Sequence, residues 1–387
     1  MSPSLRGNAT FVAALCLSAC TAPPASGQDG GAPRSPTPSS IDGAFRVETV
    51  ARGLEHPWAL AFLPDGRILV TERPGRLRIV DQSGKLSPPL AGVPKVRAEG
   101  QGGLLDVAID PQFSQNRFVY LSFSEPGNGG AGTAAARARL GERGLENVQV
   151  IYRQQPKTGH GNHFGSRLVF DRDGKLFVTQ GDRQDQRPLV QNLSTLIGKI
   201  VRINPDGSIP QDNPFVGREG ARPEIWSVGH RSVQAAALHP GTGQLWTVEH
   251  GARGGDELNH PDAGKNYGWP VITYGVEYSG GRIGEGITAK EGMEQPVYYW
   301  DPVIAPSGLL FYTGDAFPEW KGNLLIGSMQ PGGLVRLVLE GGRVTKEERY
   351  RGQLGARIRD VQQGPDGLVY VVTDEGNGRL LRIRPGA

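Results

Sequence analysis

Cysteine is nearly missing from this chain. Two are present in 387 residues, Cys16 and Cys20, and none follows them. The rest of the chain therefore holds no intramolecular disulfide, no thiolate-rich metal site and no catalytic thiol. An excess of one charge is missing too: the formal net charge is +3, with no Lys/Arg block and no interleaved aromatic stripe. That excludes nucleic acid as a partner. No long amphipathic helix can be traced, and the N-terminal apolar run FVAALCLSA (11–19) is too short to span a bilayer. What is plentiful is glycine, 57 residues, and proline, 30, which suits many short strands and turns. With 37% hydrophobic and 21% charged residues the chain is globular.

The N-terminus accounts for the cysteines. Arg6 precedes the apolar run, which has the length of a signal-peptide core. It ends in Leu17-Ser18-Ala19-Cys20, which resembles a bacterial lipobox, whose cysteine is lipidated and becomes the mature N-terminus. The alternative is an ordinary secretory signal cleaved near Ala19 or Ala22. On the lipobox reading, residues 1–20 are a signal peptide and the protein is lipid-anchored on the periplasmic side of the envelope. Thr21, rather than Asp, after the cysteine points to the outer membrane. Residues 21–42 are rich in Pro, Gly and Ser and read as a flexible tether, leaving 43–387 as one folded domain.

That domain repeats one pattern six times: WALAFLPDGRILVTER (58–73), GLLDVAIDPQFSQNRFVYLSFSE (103–125), SRLVFDRDGKLFVTQGD (166–182), VQAAALHPGTGQLWTVEHG (233–251), SGLLFYTGDAFPEWKGNLLIGSM (307–329) and RDVQQGPDGLVYVVTDEG (359–376). Each joins two apolar or alternating runs through a turn, the pattern of a β-hairpin. Hairpins at this spacing, with further strand candidates between them, predict an all-β, six-bladed β-propeller of four-stranded antiparallel sheets. The early strand FRVETVA (45–51) is expected to pair with the C-terminal RLLRIRPG and close the ring, removing exposed sheet edges.

A propeller aims matching loops of different blades at one axial face. Gln101, His163, Arg231, Arg357 and Arg359 all lie where a loop enters the first strand of a repeat. An imidazole among guanidinium groups makes a site for a polyanion and a proton transfer. Taken singly, each element has an ordinary reading: a turn or core histidine, or an Arg-x-Arg pair on a solvated strand face.

Several longer motifs are similar to the six-bladed glucose/sorbosone dehydrogenases, the soluble aldose sugar dehydrogenases that use pyrroloquinoline quinone (PQQ). They are GQGGLL (100–105), HFGSRL (163–168), GHR (229–231), EHGARGGDELN (249–259), GKNYGWP (264–270) and RIRD (357–360). The resemblance implies that His163 is the general base for the C1 hydroxyl of an aldose, with hydride passing to C5 of the quinone and an aldonolactone as product. It implies that Arg231 stabilises the developing oxyanion and that Arg357 and Arg359 pair with PQQ carboxylates. Gln101, Ser232, Tyr278 and Gln330 fall at cofactor-contact positions. Calcium is implied too, in two competing placements: backbone carbonyls of Gly251 and Ala252 match ligands of the ion at the quinone, whereas Glu257 and the Tyr267 carbonyl match a structural ion. An electron acceptor, a cytochrome or a quinone, is implied as partner.

The chain departs from the family where Gln330, in Ser328-Met329-Gln330, replaces a lysine. Ser232 replaces an asparagine, Ala252 a proline and Ser166 a glycine. Two other functions compete: a propeller lactonase or other hydrolase with calcium alone in the channel, and a non-catalytic sugar-binding surface protein. The basic axial set argues against the first. Gln330 and Ser232 are the best support for the second.

Overall fold

The computed structural model describes Met1, residues 37–41, Gly43 and residues 45–386. Cys20 and most of the expected tether lie outside the described residues. Helix is almost absent among them: one four-residue α-helix, Phe113–Asn116, and two single-turn 3₁₀ helices.

The six repeats form six sheets. Their first strands are Pro57–Phe62, Leu104–Ile109, Gly165–Phe170, Val233–Leu238, Pro306–Phe311 and Ile358–Gln363, here the inner strands of blades 1 to 6. Neighbours in this series pack side by side, and the last packs on the first, so the inner strands enclose an axis. Within each blade consecutive strands pair antiparallel. The second strands Ile68–Glu72, Leu176–Gln180, Leu245–Glu249, Leu324–Ser328 and Val369–Thr373 are buried throughout, because both faces of each sheet are covered by neighbouring blades. The turn glycines Gly66 and Gly367 sit at φ +82° and +74°, which their Asp-Gly hairpin turns require.

The ring closes as expected. Phe45–Leu54 forms the outermost strand of blade 6, running from Phe45 opposite Pro385 to Leu54 opposite Gly378. Two local differences from four strands per blade appear. Blade 1 has three strands. The segment that would be its fourth still donates from Ser87 N to Ile79 O and from Leu90 N to Leu77 O. Pro88 and Pro89 lie between them and have no N–H, so no regular ladder forms. Blade 5 gains a short parallel strand, Ser39–Ser40, against Glu348 and Arg349. Ser39 and Ser40 belong to the stretch that composition marks as tether.

Two features tie the blades together. Thr71 Oγ1 donates to Leu105 O (2.5 Å), Ser122 Oγ to Ser166 O (2.7 Å) and Thr179 Oγ1 to Val233 O (3.1 Å). In each case a second-strand hydroxyl meets the inner strand of the next blade. On the axis, the buried Arg167 guanidinium bridges Asp106 (2.8 Å) and Asp360 (3.1 Å) and lies 4.5 Å from the Trp58 ring centroid. Burial raises Asp106 to about 6 against the pull of Arg167.

A β-bulge interrupts every inner strand near its leading end, as the register shifts in all six hairpins record. Bulges re-aim side chains. Here they occur where the entering loops meet the axis.

Candidate active site

A cavity of about 360 Å³ opens on the face reached by the leading ends of the inner strands. All six blades contribute to its wall: Trp58 and Arg73 from blade 1, Gln101 from 2, Phe164 from 3, Gln234 and His250 from 4, Ala305 and Met329 from 5, and Arg357, Arg359 and Asp374 from 6.

His163 precedes the inner strand of blade 3 beside this wall, in a left-handed conformation at φ +53°. Its Nδ1 lies 2.6 Å from Asp182 Oδ1. Asp182 follows the second strand of the same blade. Gly181 makes this approach possible, since a Cβ there would lie 2.3 Å from His163 O. Asp182 Oδ1 also accepts from Gln184 N (2.7 Å), and Oδ2 accepts from the indole Nε1 of Trp269 (2.8 Å). The His163 backbone N–H donates to Gln101 Oε1 (2.9 Å). Arg183 pins the preceding loop by donating to the carbonyls of His160 and Asn162 while stacking on Phe164.

With Nδ1–H donated to Asp182, Nε2 carries the free lone pair. Burial pushes the His163 pKa below its ordinary value, and Arg231 adds to this, while Asp182 opposes. Burial would raise Asp182, but the hydrogen bond and charge of His163, with Arg231, hold it below the usual carboxylate range. The pair is a neutral imidazole backed by an ionised carboxylate, the arrangement of a general base.

Arg231 is buried near the base. Its Nη1 donates to His250 O (3.0 Å), its Nη2 lies 3.4 Å from the hydroxyl of the exposed Tyr278, and its backbone N–H donates to Glu249 Oε2 (2.8 Å). His250 is pushed down to about 3, chiefly by burial, and is therefore neutral.

On the other side of the cavity, Asp374 accepts from Arg359 Nη2 (2.9 Å) and lies 3.6 Å from Arg357. Arg73 donates to Gly100 O, so it also holds the Gln101 loop. Three guanidinium groups thus face one carboxylate among the lining residues, an excess of positive charge. The buried Nε atoms of Arg73 and Arg359 have no partner. Such donors fit an anionic ligand.

The remaining expected residues fall as follows. Ser232 is fully buried and accepts from Gln234 Nε2 (3.1 Å). Gln330 is exposed and stands outside the residues lining the cavity, where Met329 takes its place. Gly251, Glu257 and Tyr267 line one small void of about 10 Å³ with Glu249, an ion-sized space. Ala252 is buried in the apolar cluster with Trp269 and Ile283. Asn259 Nδ2 lies 3.1 Å from both Glu249 Oε1 and Glu257 Oε2, and its own Oδ1 has no partner. Burial and the Glu249 carboxylate push Glu257 well above the usual carboxylate range. Buried oxygen donors under mutual repulsion fit a hard cation. Among the described residues, no group of three or more His, Cys, Asp or Glu side chains is set to hold a metal.

Arg73, Asp182, His250 and Asp374 were missed in the sequence. All four stand one or two residues past the second strand of a hairpin. The repeat phase that picked out the entering loops would have found them had it been applied to the leaving loops as well.

Fold and site fit an enzyme: a six-bladed propeller with a buried His–Asp pair beside a cationic axial cavity. Residues 54–382 match the glucose / sorbosone dehydrogenase family, and the chain belongs to it, as an oxidoreductase. It is 49% identical over 346 residues to the aldose sugar dehydrogenase YliI of Escherichia coli, covering 88% of this chain and 92% of that protein. A glucose dehydrogenase of known crystal structure shares 53% identity at a TM-score of 0.84, over 87% of this chain and 98% of the other. The PQQ-bound aldose sugar dehydrogenase of Streptomyces coelicolor shares 28% identity at a TM-score of 0.74, over 88% of this chain and 98% of the other.

Proposed function

We propose that this protein oxidises aldose sugars at C1 to aldonolactones with PQQ and calcium. The observation that carries this reading is the His163–Asp182 pair, with Nε2 free, beside a cavity lined by Arg73, Arg357 and Arg359, of which Arg73 and Arg359 each keep a buried Nε without a partner. When bound, PQQ would supply the acceptor for the hydride lost from C1, and with it the two electrons of the oxidation. Arg357, Arg359 and Arg73 would hold its carboxylates, with Gln101, Tyr278 and the segment at Gln330 as further neighbours. Calcium would be held either by the carbonyls of Gly251 and Ala252, as a Lewis acid at the quinone, or by Glu257 and the Tyr267 carbonyl, as a structural tie.

The chain's own residues then divide the work. His163 takes the C1 hydroxyl proton on Nε2, and Asp182 stabilises the imidazolium that results. Arg231 offers positive charge near the base, where negative charge develops during oxidation. A hydrolase would need carboxylates aimed at an axial metal. Asp374 is the one carboxylate in the cavity wall, and arginine already holds it.

Lipidation at Cys20, with anchoring on the periplasmic side at the outer membrane, belongs to the same reading, as does electron transfer to a cytochrome or a quinone. Mass spectrometry of the mature N-terminus tests the anchor: an unmodified polypeptide starting elsewhere removes it. For the activity, apo-protein is mixed with PQQ, calcium and an aldose, and bleaching of a dye acceptor is followed. No sugar-dependent bleaching across a panel of aldoses would sink the proposal.

A further inference from the structure

We propose that Trp269 is a positioning residue for the base, the third member of a hydrogen-bonded chain His163–Asp182–Trp269 that sets the orientation and basicity of the imidazole. This rests on His163 being the base.

Asp182 is fully buried. His163 Nδ1 (2.6 Å) and the Gln184 N–H (2.7 Å) both use Oδ1, and Oδ2 accepts from Trp269 Nε1 at 2.8 Å. The indole therefore fixes the rotation of the carboxylate that orients the imidazole. Trp269 is itself held firmly: its backbone N–H donates to Gly229 O (3.0 Å), its carbonyl accepts from Gln191 Nε2 (2.8 Å), and its ring packs with Val190, Ile197 and Ile283.

The plain alternative is a buried indole that merely satisfies its N–H. This fold does not enforce that: the buried Nε1 atoms of Trp246 and Trp300 have no hydrogen-bond partner. Trp269 instead reaches a carboxylate 87 positions away in the chain. Its ring also lies 5.3 Å from the guanidinium of Arg231 and 5.2 Å from that of Arg187. One side chain thus touches both the carboxylate behind the base and the cation beside it.

The direction of the effect follows from charge. Donation to Oδ2 stabilises the Asp182 carboxylate and weakens its pull on the His163 proton. Without it, Asp182 is more basic and His163 holds a proton more tightly. The other charged or titratable groups facing this pair are Arg183, Arg187, Arg231 and His250. Replacing the indole with a phenyl ring leaves the charge of each in place and removes the one N–H that reaches Asp182 Oδ2.

The test uses Trp269→Phe in the PQQ- and calcium-loaded protein. We expect the acid limb of turnover against pH to move to higher pH, and maximal turnover to fall about 10- to 100-fold, as when an imidazole's hydrogen-bonded orienting partner is lost. In wild type labelled with ¹⁵N at tryptophan and histidine, the Trp269 indole resonance should shift with the same midpoint as His163. That second measurement stands if the variant fails to fold. An acid limb unchanged in Trp269→Phe, or an indole resonance that ignores the His163 titration, overturns the proposal. Full turnover in His163→Gln would instead overturn the assignment of the base, so the two failures are distinguishable.

Discussion

Nδ1 of His163 and Oδ1 of Asp182 lie 2.6 Å apart, both buried, one entering and one leaving the first hairpin of blade 3. A single hairpin thus delivers both halves of the proposed base. Its pH behaviour is set by burial, which pushes His163 below its ordinary 6.5. The active form is neutral, so turnover should fall only as pH drops through that lowered value. Asp182→Asn removes the interaction that raises the imidazole, so its acid limb should move further down while maximal turnover falls. His163→Gln should cut turnover by about two to four orders of magnitude, the range of a lost general base, with PQQ binding nearly intact. Rate profiles against pH, with PQQ titrations in parallel, check all three.

The cofactor charges give a second prediction. Gln330 stands where the family carries a lysine, yet it is exposed and outside the cavity wall, whereas Arg73 lines it with an unpartnered Nε. Hydrogen bonds to ionised groups contribute about 1.5–3 kcal/mol. Arg73→Gln should therefore weaken PQQ binding by about one to two decades. Gln330→Lys should tighten it by less than Arg73→Gln weakens it. Equilibrium titration of the apo-proteins with PQQ decides this. The reverse order would return the missing charge to the position of Gln330.

Arg167 offers a stability test away from the chemistry. Replacing it with Met leaves Asp106 and Asp360 buried and facing each other without their shared cation. Breaking a buried charge network in this way costs about 3–5 kcal/mol. Denaturant unfolding should show it. Adding Asp106→Asn to the Met variant should recover part of the loss.

Calcium removal should abolish sugar oxidation and lower the melting temperature. A cation bound only by the folded state stabilises it by several kcal/mol at saturating excess, by mass action. The crowding of Glu249 and Glu257 makes this void the place where the loss is felt. An unchanged melting transition after exhaustive chelation would remove the structural ion.

The fold was legible because six hairpins repeat one phase, and the closing strand at 45–51 because closing the ring removes exposed sheet edges. Less legible was anything that depends on where two distant loops meet. Trp269 and Asp182 are 87 residues apart, and no local pattern pairs them. Blade 1's missing outer strand could have been anticipated, since Pro88 and Pro89 sit in the segment itself. The docking of Ser39–Ser40 could not, since a Pro/Ser-rich stretch carries no apolar face to announce it.

The seam of the ring joins Phe45–Leu54 to Gly378–Pro385, strands from opposite ends of the chain. During synthesis, the earliest long strand of the propeller has no partner until Gly378–Pro385 has been made. Closure is then a single long-range event with a large loop entropy, so the complete ring forms late and slowly. Removing the last strand would unmake more than one edge. It would leave the opening strand without its partner and the circle of blades unlatched, so the strand Gly378–Pro385 is the condition for the whole wheel to hold together.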